Sequence, residues 1–134
     1  MMSDEQLIHE LERATEGLLF MSESDYPFEV VRLESLSEED VPQRLRRLAG
    51  ADTAAPVETR SVEDFFRVAA AEAEWKDAQA LETAKRYQAL LSLLKENLTD
   101  VRVYRVGEIN IPVYIIGRSS EGRLLGLSTR VVET

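Results

Sequence analysis

The second half of the chain restricts the fold most, because one long helical pattern there is followed by three β-rich runs. From Asp77 to Leu98, apolar residues recur at steps of three and four, which predicts an amphipathic helix. These residues are Leu81, Ala84, Tyr87, Leu91, Leu94 and Leu98. The β-rich runs cover residues 101–106, 111–117 and 124–132. Only short turn sequences separate the runs, so we predict three neighbouring antiparallel strands.

The first 33 residues predict one helix and one strand. Ser3 or Asp4 can cap a helix that Gly17 would stop. Its apolar positions are Leu7, Leu11, Ala14 and Leu18. Residues 27–33 are short and β-branched, and their first residue is a proline, which has no backbone N–H to donate. We therefore predict a strand in which the proline takes the first position, or a strand at the edge of a sheet.

Two further helices are predicted in the middle of the chain. The segment from Val41 to Leu48 fits a short helix that stops at Gly50, and residues 51–56 are small and read as a surface loop. Ser61 can cap a second helix that reaches about Ala71. We assign four apolar residues near these segments and the first helix to the core, namely Phe20, Met21, Phe65 and Phe66.

The order of elements predicts an α+β fold in which helices pack on a mostly antiparallel sheet. The run from Val113 to Ile116 is continuously apolar, which indicates that helices cover both faces of the sheet. We therefore expect a three-layer α/β/α sandwich. With 134 residues, 44% of them hydrophobic, the chain is long enough for one core, and we expect a single domain over residues 1–134.

Negative charge is concentrated at the start of the chain. Residues 1–40 hold twelve acids against two arginines, whereas residues 41–134 hold thirteen acids against fourteen lysines and arginines. The centre of the acidic part, residues 21–29, interleaves carboxylates, serines and aromatic residues. Such a loop can present anions to a basic or metal-containing partner, and the acidic surface disfavours direct binding of nucleic acid.

Several classes of function lack the residues that they need. The chain has no cysteine and a single histidine, His9, which we place on an exposed helix position. Its glycines do not form a phosphate-binding loop, so we expect no cofactor and no enzyme activity. A carboxylate-based hydrolase that pairs Glu23 with Asp25 or Glu29 stays as a weaker alternative. Because no signal peptide or membrane span is evident, we expect a soluble, cytoplasmic protein.

Two long blocks of the sequence closely resemble the cyanobacterial nuclease A inhibitor family. They run from Gly17 to Val30 and from Val103 to Thr134. The similarity also includes the helix around Phe65 and the long helix that ends at Leu98, and it weakens between Arg32 and Glu58. The resemblance implies an α/β/α inhibitor of sugar-non-specific endonucleases of the ββα-metal type, monomeric on its own.

The resemblance also implies which residues contact the nuclease. The acidic loop would enter the active site, where Glu23, flanked by Ser24 and Asp25, would approach the partner's catalytic metal ion. Thr134 matches the family's C-terminal threonine at the contact surface. Glu74 and Trp75 match an acidic residue followed by tryptophan, although the family pattern has aspartate in place of Glu74.

The chemistry of these residues agrees with the roles that the resemblance implies, but each residue also fits an ordinary structural role. A carboxylate oxygen can occupy the position of a scissile phosphate oxygen at a hard cation. Trp75 has charged neighbours and fits an interface, but it also fits a cap on the core where a helix ends. Glu23 also fits an ordinary loop acid, and Thr134 a frayed end. A different class of function is an acidic interaction module that keeps this fold and binds another basic protein.

Overall fold

A computed structural model of the chain describes residues 2–21, 25–67, 70 and 77–133. The helices in these ranges are α1 (Asp4–Thr15), α2 (Val41–Leu48), α3 (Val62–Phe66) and α4 (Ala78–Asn97). The strands are β1 (Leu19–Met21), β2 (Asp25–Pro27), β3 (Glu29–Leu33), β4 (Val57–Ser61), β5 (Thr99–Val106), β6 (Asn110–Arg118) and β7 (Leu124–Val132).

Five of the strands form one antiparallel sheet in the order β3-β7-β6-β5-β4, and β1 pairs with β2 in a separate two-stranded sheet. The meander of β5, β6 and β7 is the predicted one, and β3 lies at the predicted edge position. The α+β class with an antiparallel sheet is therefore confirmed.

Side chains of the sheet alternate between two apolar clusters. Val103, Ile115 and Leu127 are cross-strand partners in one cluster, which also holds residues of α1, α3 and α4. Tyr104 and Tyr114 are cross-strand partners in the other, together with residues of α2. Because successive side chains of a strand point to opposite faces, the two clusters lie on opposite faces of the sheet. The full three-layer arrangement stays a prediction.

Side chains cap three of the helices as their sequences indicate. The Ser3 hydroxyl accepts the Gln6 N–H at 3.2 Å, while the Gln6 side chain accepts the Ser3 N–H at 3.0 Å. At α3, Ser61 accepts the N–H of the residue three positions on, at 3.1 Å. At α4, Asp77 accepts the Ala80 N–H at 2.8 Å. These bonds satisfy backbone donors that have no partner within a helix, and they fix where each helix begins.

Four details differ from the sequence prediction. Residues 19–21, for which no strand was predicted, and residues 25–27 of the predicted acidic loop form β1 and β2. The predicted strand 27–33 is divided, because Phe28 leaves the pairing between β2 and β3 and its ring enters the core with 7% exposure. Residues 57–61, for which no strand was predicted, form β4. The helix that begins after Ser61 ends at Phe66 rather than near Ala71, and Ala70 is a turn residue.

No helix among the described residues is both long and apolar enough to cross a membrane. The position of His9 on the exposed side of α1 is as predicted.

Candidate protein-binding site

The acidic loop predicted from the sequence connects the two strands of a short hairpin. Strands β1 and β2 pair with Leu19 opposite Pro27, Phe20 opposite Tyr26, and Met21 opposite Asp25. Residues 22–24 join the last of these pairs and lie outside the described part of the chain. The residues on either side of this connection, Met21 and Asp25, are therefore cross-strand neighbours.

Aromatic rings hold the hairpin to the helices. The Phe20 ring stacks on that of Phe65 in α3, with centroids 4.4 Å apart and ring planes 10° apart. Phe20 also meets Phe28 edge-on at 6.1 Å and Tyr87 of α4 at 6.4 Å. Aromatic pairs in these geometries stabilise by more than the area that they bury. The aromatic cluster of Phe20, Phe28, Phe65, Phe66 and Tyr87 therefore joins β1, α3 and α4.

Two side-chain hydroxyls bind backbone carbonyls of the hairpin. The Tyr87 hydroxyl donates to the Leu19 carbonyl at 2.5 Å, and the Thr129 hydroxyl donates to the Pro27 carbonyl at 3.0 Å. Burial raises the pKa of the Tyr87 hydroxyl well above its usual value, so it stays protonated as a donor. Each strand of the hairpin is thus bonded to a different element, β1 to α4 and β2 to β7.

The C-terminal end of α1 is hydrogen-bonded to α4 next to the hairpin. The Arg86 guanidinium of α4 donates to the carbonyls of Ala14 at 3.1 Å and Glu16 at 2.7 Å. These carbonyls lie at the C-terminal end of α1, where the helix dipole favours a positive charge. Arg86 therefore fixes the chain just before it enters β1.

The connection between α3 and α4 begins beside the hairpin. Phe65, which stacks on Phe20, lies near the end of α3, and the Ala70 carbonyl accepts a bond from Gln88 of α4 at 2.7 Å. Glu74 and Trp75 fall in this connection, outside the described residues.

The end of β7 lies at the same end of the sheet. Thr129 of β7 reaches β2, and β7 continues for only three residues beyond it, a rise of about 10 Å. The Glu133 N–H then donates to the Ile109 carbonyl at 2.8 Å, and its carboxylate pairs with Arg105 at 2.5 Å. The residue after it, Thr134, is outside the described part. The hairpin, the end of α3 and the end of β7 are therefore neighbours.

Exposed carboxylates surround the hairpin. Glu16 precedes it, Asp25 lies on β2, and Glu29 follows it; the structure exposes all three. Two cations lie beside it: Arg86 is engaged with the end of α1, and Arg130 of β7 lines a shallow pocket with Pro27 and Glu29. This end of the molecule therefore presents an anionic surface that suits a basic partner.

The structure describes one of the six predicted partner-binding residues. Asp25 is exposed on β2, directly opposite Met21. The other five lie outside the described residues, and their roles stay predictions: Glu23, Ser24, Glu74, Trp75 and Thr134. The predicted metal role of Glu23 concerns a partner's ion, and the described residues hold no group of three or more potential metal ligands.

Sequence reasoning missed the residues that position this site. Tyr87 was predicted as a core residue, without the bond from its hydroxyl. Thr129 and Arg105 were not singled out at all. A signal for Arg105 was present, because it is a cation within the apolar run of β5. Nothing in the local sequence identifies its partner Glu133, which follows the last residue of β7.

Comparison with known families gives the class of the protein. The family model of nuclease A inhibitor-like proteins (NuiA) matches residues 5–134, nearly the whole chain. No curated protein matched the chain. The chain belongs to the nuclease A inhibitor-like family, which confirms the resemblance drawn from the sequence and indicates a nuclease inhibitor.

Proposed function

We propose that this chain, acting as one domain, inhibits a sugar-non-specific nuclease of the ββα-metal type by inserting the tip of the β1–β2 hairpin into the active site. Glu23 would approach the catalytic divalent cation, and Glu74, Trp75 and Thr134 would contact the surrounding surface. The family indicates a nuclease as the partner, and the acidic hairpin supports the mechanism that the resemblance implies.

The anchoring of the hairpin is the observation that carries the mechanism. The stack of Phe20 on Phe65 and the bond from Tyr87 to Leu19 hold its base against two helices. A loop on a base held in this way loses less conformational entropy on binding than a free loop does. This favours an inhibitor that presents a carboxylate at a fixed place.

Charge supports the same partner. A nuclease active site binds phosphates with cationic side chains and a hard cation, so an exposed carboxylate can replace a phosphate oxygen there. The acids around the hairpin would also raise the association rate with a basic groove, an effect that falls as salt rises. The protein itself would bind the nuclease reversibly and turn over no substrate.

The test measures inhibition of a magnesium-dependent ββα-metal nuclease in a plasmid-cleavage assay, for the wild type, Glu23→Ala and a control, Glu12→Ala. Glu12 is an exposed acid of the same segment for which the described residues provide no ion pair. We expect Glu23→Ala to cost about 2 to 5 kcal/mol of binding, roughly thirtyfold or more. Glu12→Ala should mainly slow association, and the difference should fade with salt.

The outcomes separate the two classes of function. Inhibition by the wild type that Glu23→Ala abolishes would support the mechanism. Equal effects of the two substitutions would refute the metal-directed role of Glu23. They would still agree with an inhibitor that binds through its overall negative charge. A wild type that inhibits no such nuclease would favour the acidic interaction module with another basic partner.

A further inference from the structure

Ile109, in the turn between β5 and β6, combines two features that are unfavourable in the free protein. Its φ of 68° lies in the left-handed region, which a β-branched residue rarely adopts. In addition, 57% of its surface is exposed, more than for Leu19 or Leu48, the other large apolar residues that the structure describes as exposed. Single exposed apolar residues are common on protein surfaces, but backbone strain at the same position is not.

The turn itself does not require an isoleucine. The Ile109 carbonyl accepts the Glu133 N–H at 2.8 Å, and a backbone carbonyl of any residue can make this bond. Asparagine and glycine adopt the left-handed region at a smaller cost, so either would keep the bond with less strain. Because more than half of Ile109 is exposed, its side chain also buries little apolar surface within the protein. A contact outside the chain is a role that only the apolar side chain could perform.

This turn lies at the end of the sheet that holds the candidate site. Thr129 of β7 bonds the Pro27 carbonyl of the hairpin, and Glu133, four residues further along the chain, bonds Ile109. Four residues of extended chain span about 13 Å. A stable protein–protein interface buries about 800 Å² on each partner, which is a patch roughly 30 Å across. One partner seated on the hairpin can therefore reach Ile109 as well.

The surroundings of Ile109 suit the same kind of partner as the hairpin does. Ile109 lines an open pocket of about 390 Å³ with the acids Glu58, Glu108 and Glu133 and with Arg105, whose side chain is only 6% exposed. Three acids against one arginine leave this surface anionic at neutral pH. An anionic surface that also carries an exposed apolar residue fits a basic protein, whereas it would repel the phosphates of a nucleic acid.

We propose that Ile109 is an apolar contact with the nuclease, so that the interface extends from the β1–β2 hairpin to the β5–β6 turn; this rests on the proposed function. The nuclease would supply an apolar group at this turn, such as the aliphatic stem of a lysine or arginine whose charge meets the acids of the pocket. Burial of the isoleucine side chain on binding would offset the strain that the free protein carries.

The experiment measures inhibition of a magnesium-dependent ββα-metal nuclease by plasmid cleavage, and stability by denaturant unfolding, for three variants. Ile109→Asn removes the apolar side chain and suits the observed φ, so we expect about tenfold weaker inhibition together with higher stability. Ile109→Leu keeps an apolar side chain and should inhibit like the wild type. Leu48→Asn, the matched control, should do so too, because Leu48 is 43% exposed and ends α2, which packs on the other face of the sheet.

The opposite signs of the two effects of Ile109→Asn distinguish a contact residue from a structural one. Weaker inhibition in this variant alone, with raised stability, would support the inference. Inhibition equal to that of the wild type would overturn it, and a loss caused by Glu23→Ala in the same assay would show that the proposed function still stands. Lower stability of Ile109→Asn, or an equal loss in Leu48→Asn, would also overturn it. A wild type that inhibits no such nuclease would contradict the proposed function and this inference together.

Discussion

The hairpin and the end of β7 flank the candidate site but are held by different forces. Packed rings and two hydroxyl bonds hold the hairpin. The end of β7 is held by one ion pair of a buried arginine and one backbone bond. The ring contacts and the bonds from neutral hydroxyls involve no charged group, whereas the contact at the end of β7 joins two charged side chains. The two contact regions should therefore weaken under different conditions.

The largest effect should come from the aromatic cluster. Phe20→Ala removes the ring that stacks on Phe65 and touches Tyr87. We expect a loss of about 2 to 3 kcal/mol in the free energy of unfolding, below the cost for a fully buried phenylalanine because Phe20 is half-buried. Denaturant unfolding measures the loss, and Phe65→Ala with the double variant gives the coupling. Additive losses would show that the stack does not join the hairpin to α3.

A smaller effect should follow from the tyrosine hydroxyl. Tyr87→Phe keeps the ring but leaves the Leu19 carbonyl without this donor. We expect about 1 kcal/mol less stability and faster hydrogen exchange in β1, with the end of β7 unaffected. Tyr104→Phe, in the cluster on the other face of the sheet, is the control. Unchanged exchange in β1 would show that ring packing alone fixes the hairpin.

The smallest effect should come from acid. The hydrogen bond from Arg60 and then the charge of Arg105 hold the pKa of Glu58 below its ordinary value of 4.5. A carboxyl whose pKa is lowered by folding stabilises the fold above its unfolded pKa, and this contribution is lost as pH falls through the folded value. We expect stability to fall below about pH 4.5 with a smaller slope in Glu58→Gln. An identical slope would show that the Glu58 carboxylate does not stabilise the β4 edge of the sheet.

Salt gives the complementary check at neutral pH. Added salt should weaken the pair of Arg105 with Glu133 only slightly, because the guanidinium is buried, and should leave the hairpin as it is. The heteronuclear NOE values of the amides of residue 133 and Phe20 report the order of the end of β7 and of the hairpin in one sample. A larger salt effect on the NOE at Phe20 than at residue 133 would show that the hairpin, and not the end of β7, depends on charge.

The sequence predicts the elements whose side chains follow a clear period. The helix α4 and the strands β5, β6 and β7 have long apolar patterns, and they appear where predicted. Strand β4 was missed because all but its first residue are polar and exposed, so it carries no alternation to detect. The division at Phe28 was missed because a tertiary contact with the aromatic cluster, rather than local propensity, decides it.

The candidate site is harder to predict from the sequence than the fold is. The acidic loop stands out by composition, so Asp25 and its neighbours could be proposed from the sequence, and their role in binding stays a prediction. The anchors depend on contacts between residues far apart in the chain: Tyr87 with Leu19 is separated by 68 positions, and Thr129 with Pro27 by 102. Only the register of the strands and the packing of α4 bring these groups together, and neither can be read from local patterns.

The two ends of the described chain lie at opposite ends of β7, which guides how the molecule can be fused to others. The Met2 carbonyl accepts a bond from Ser120, just before β7 begins, whereas Glu133 follows its last residue, about 30 Å away along nine residues. A purification tag or fluorescent reporter joined ahead of Met2 would project away from the hairpin. The same group joined behind Thr134 would occupy the surface proposed for the nuclease. Such a fusion would fail to inhibit even though the inhibitor itself is active.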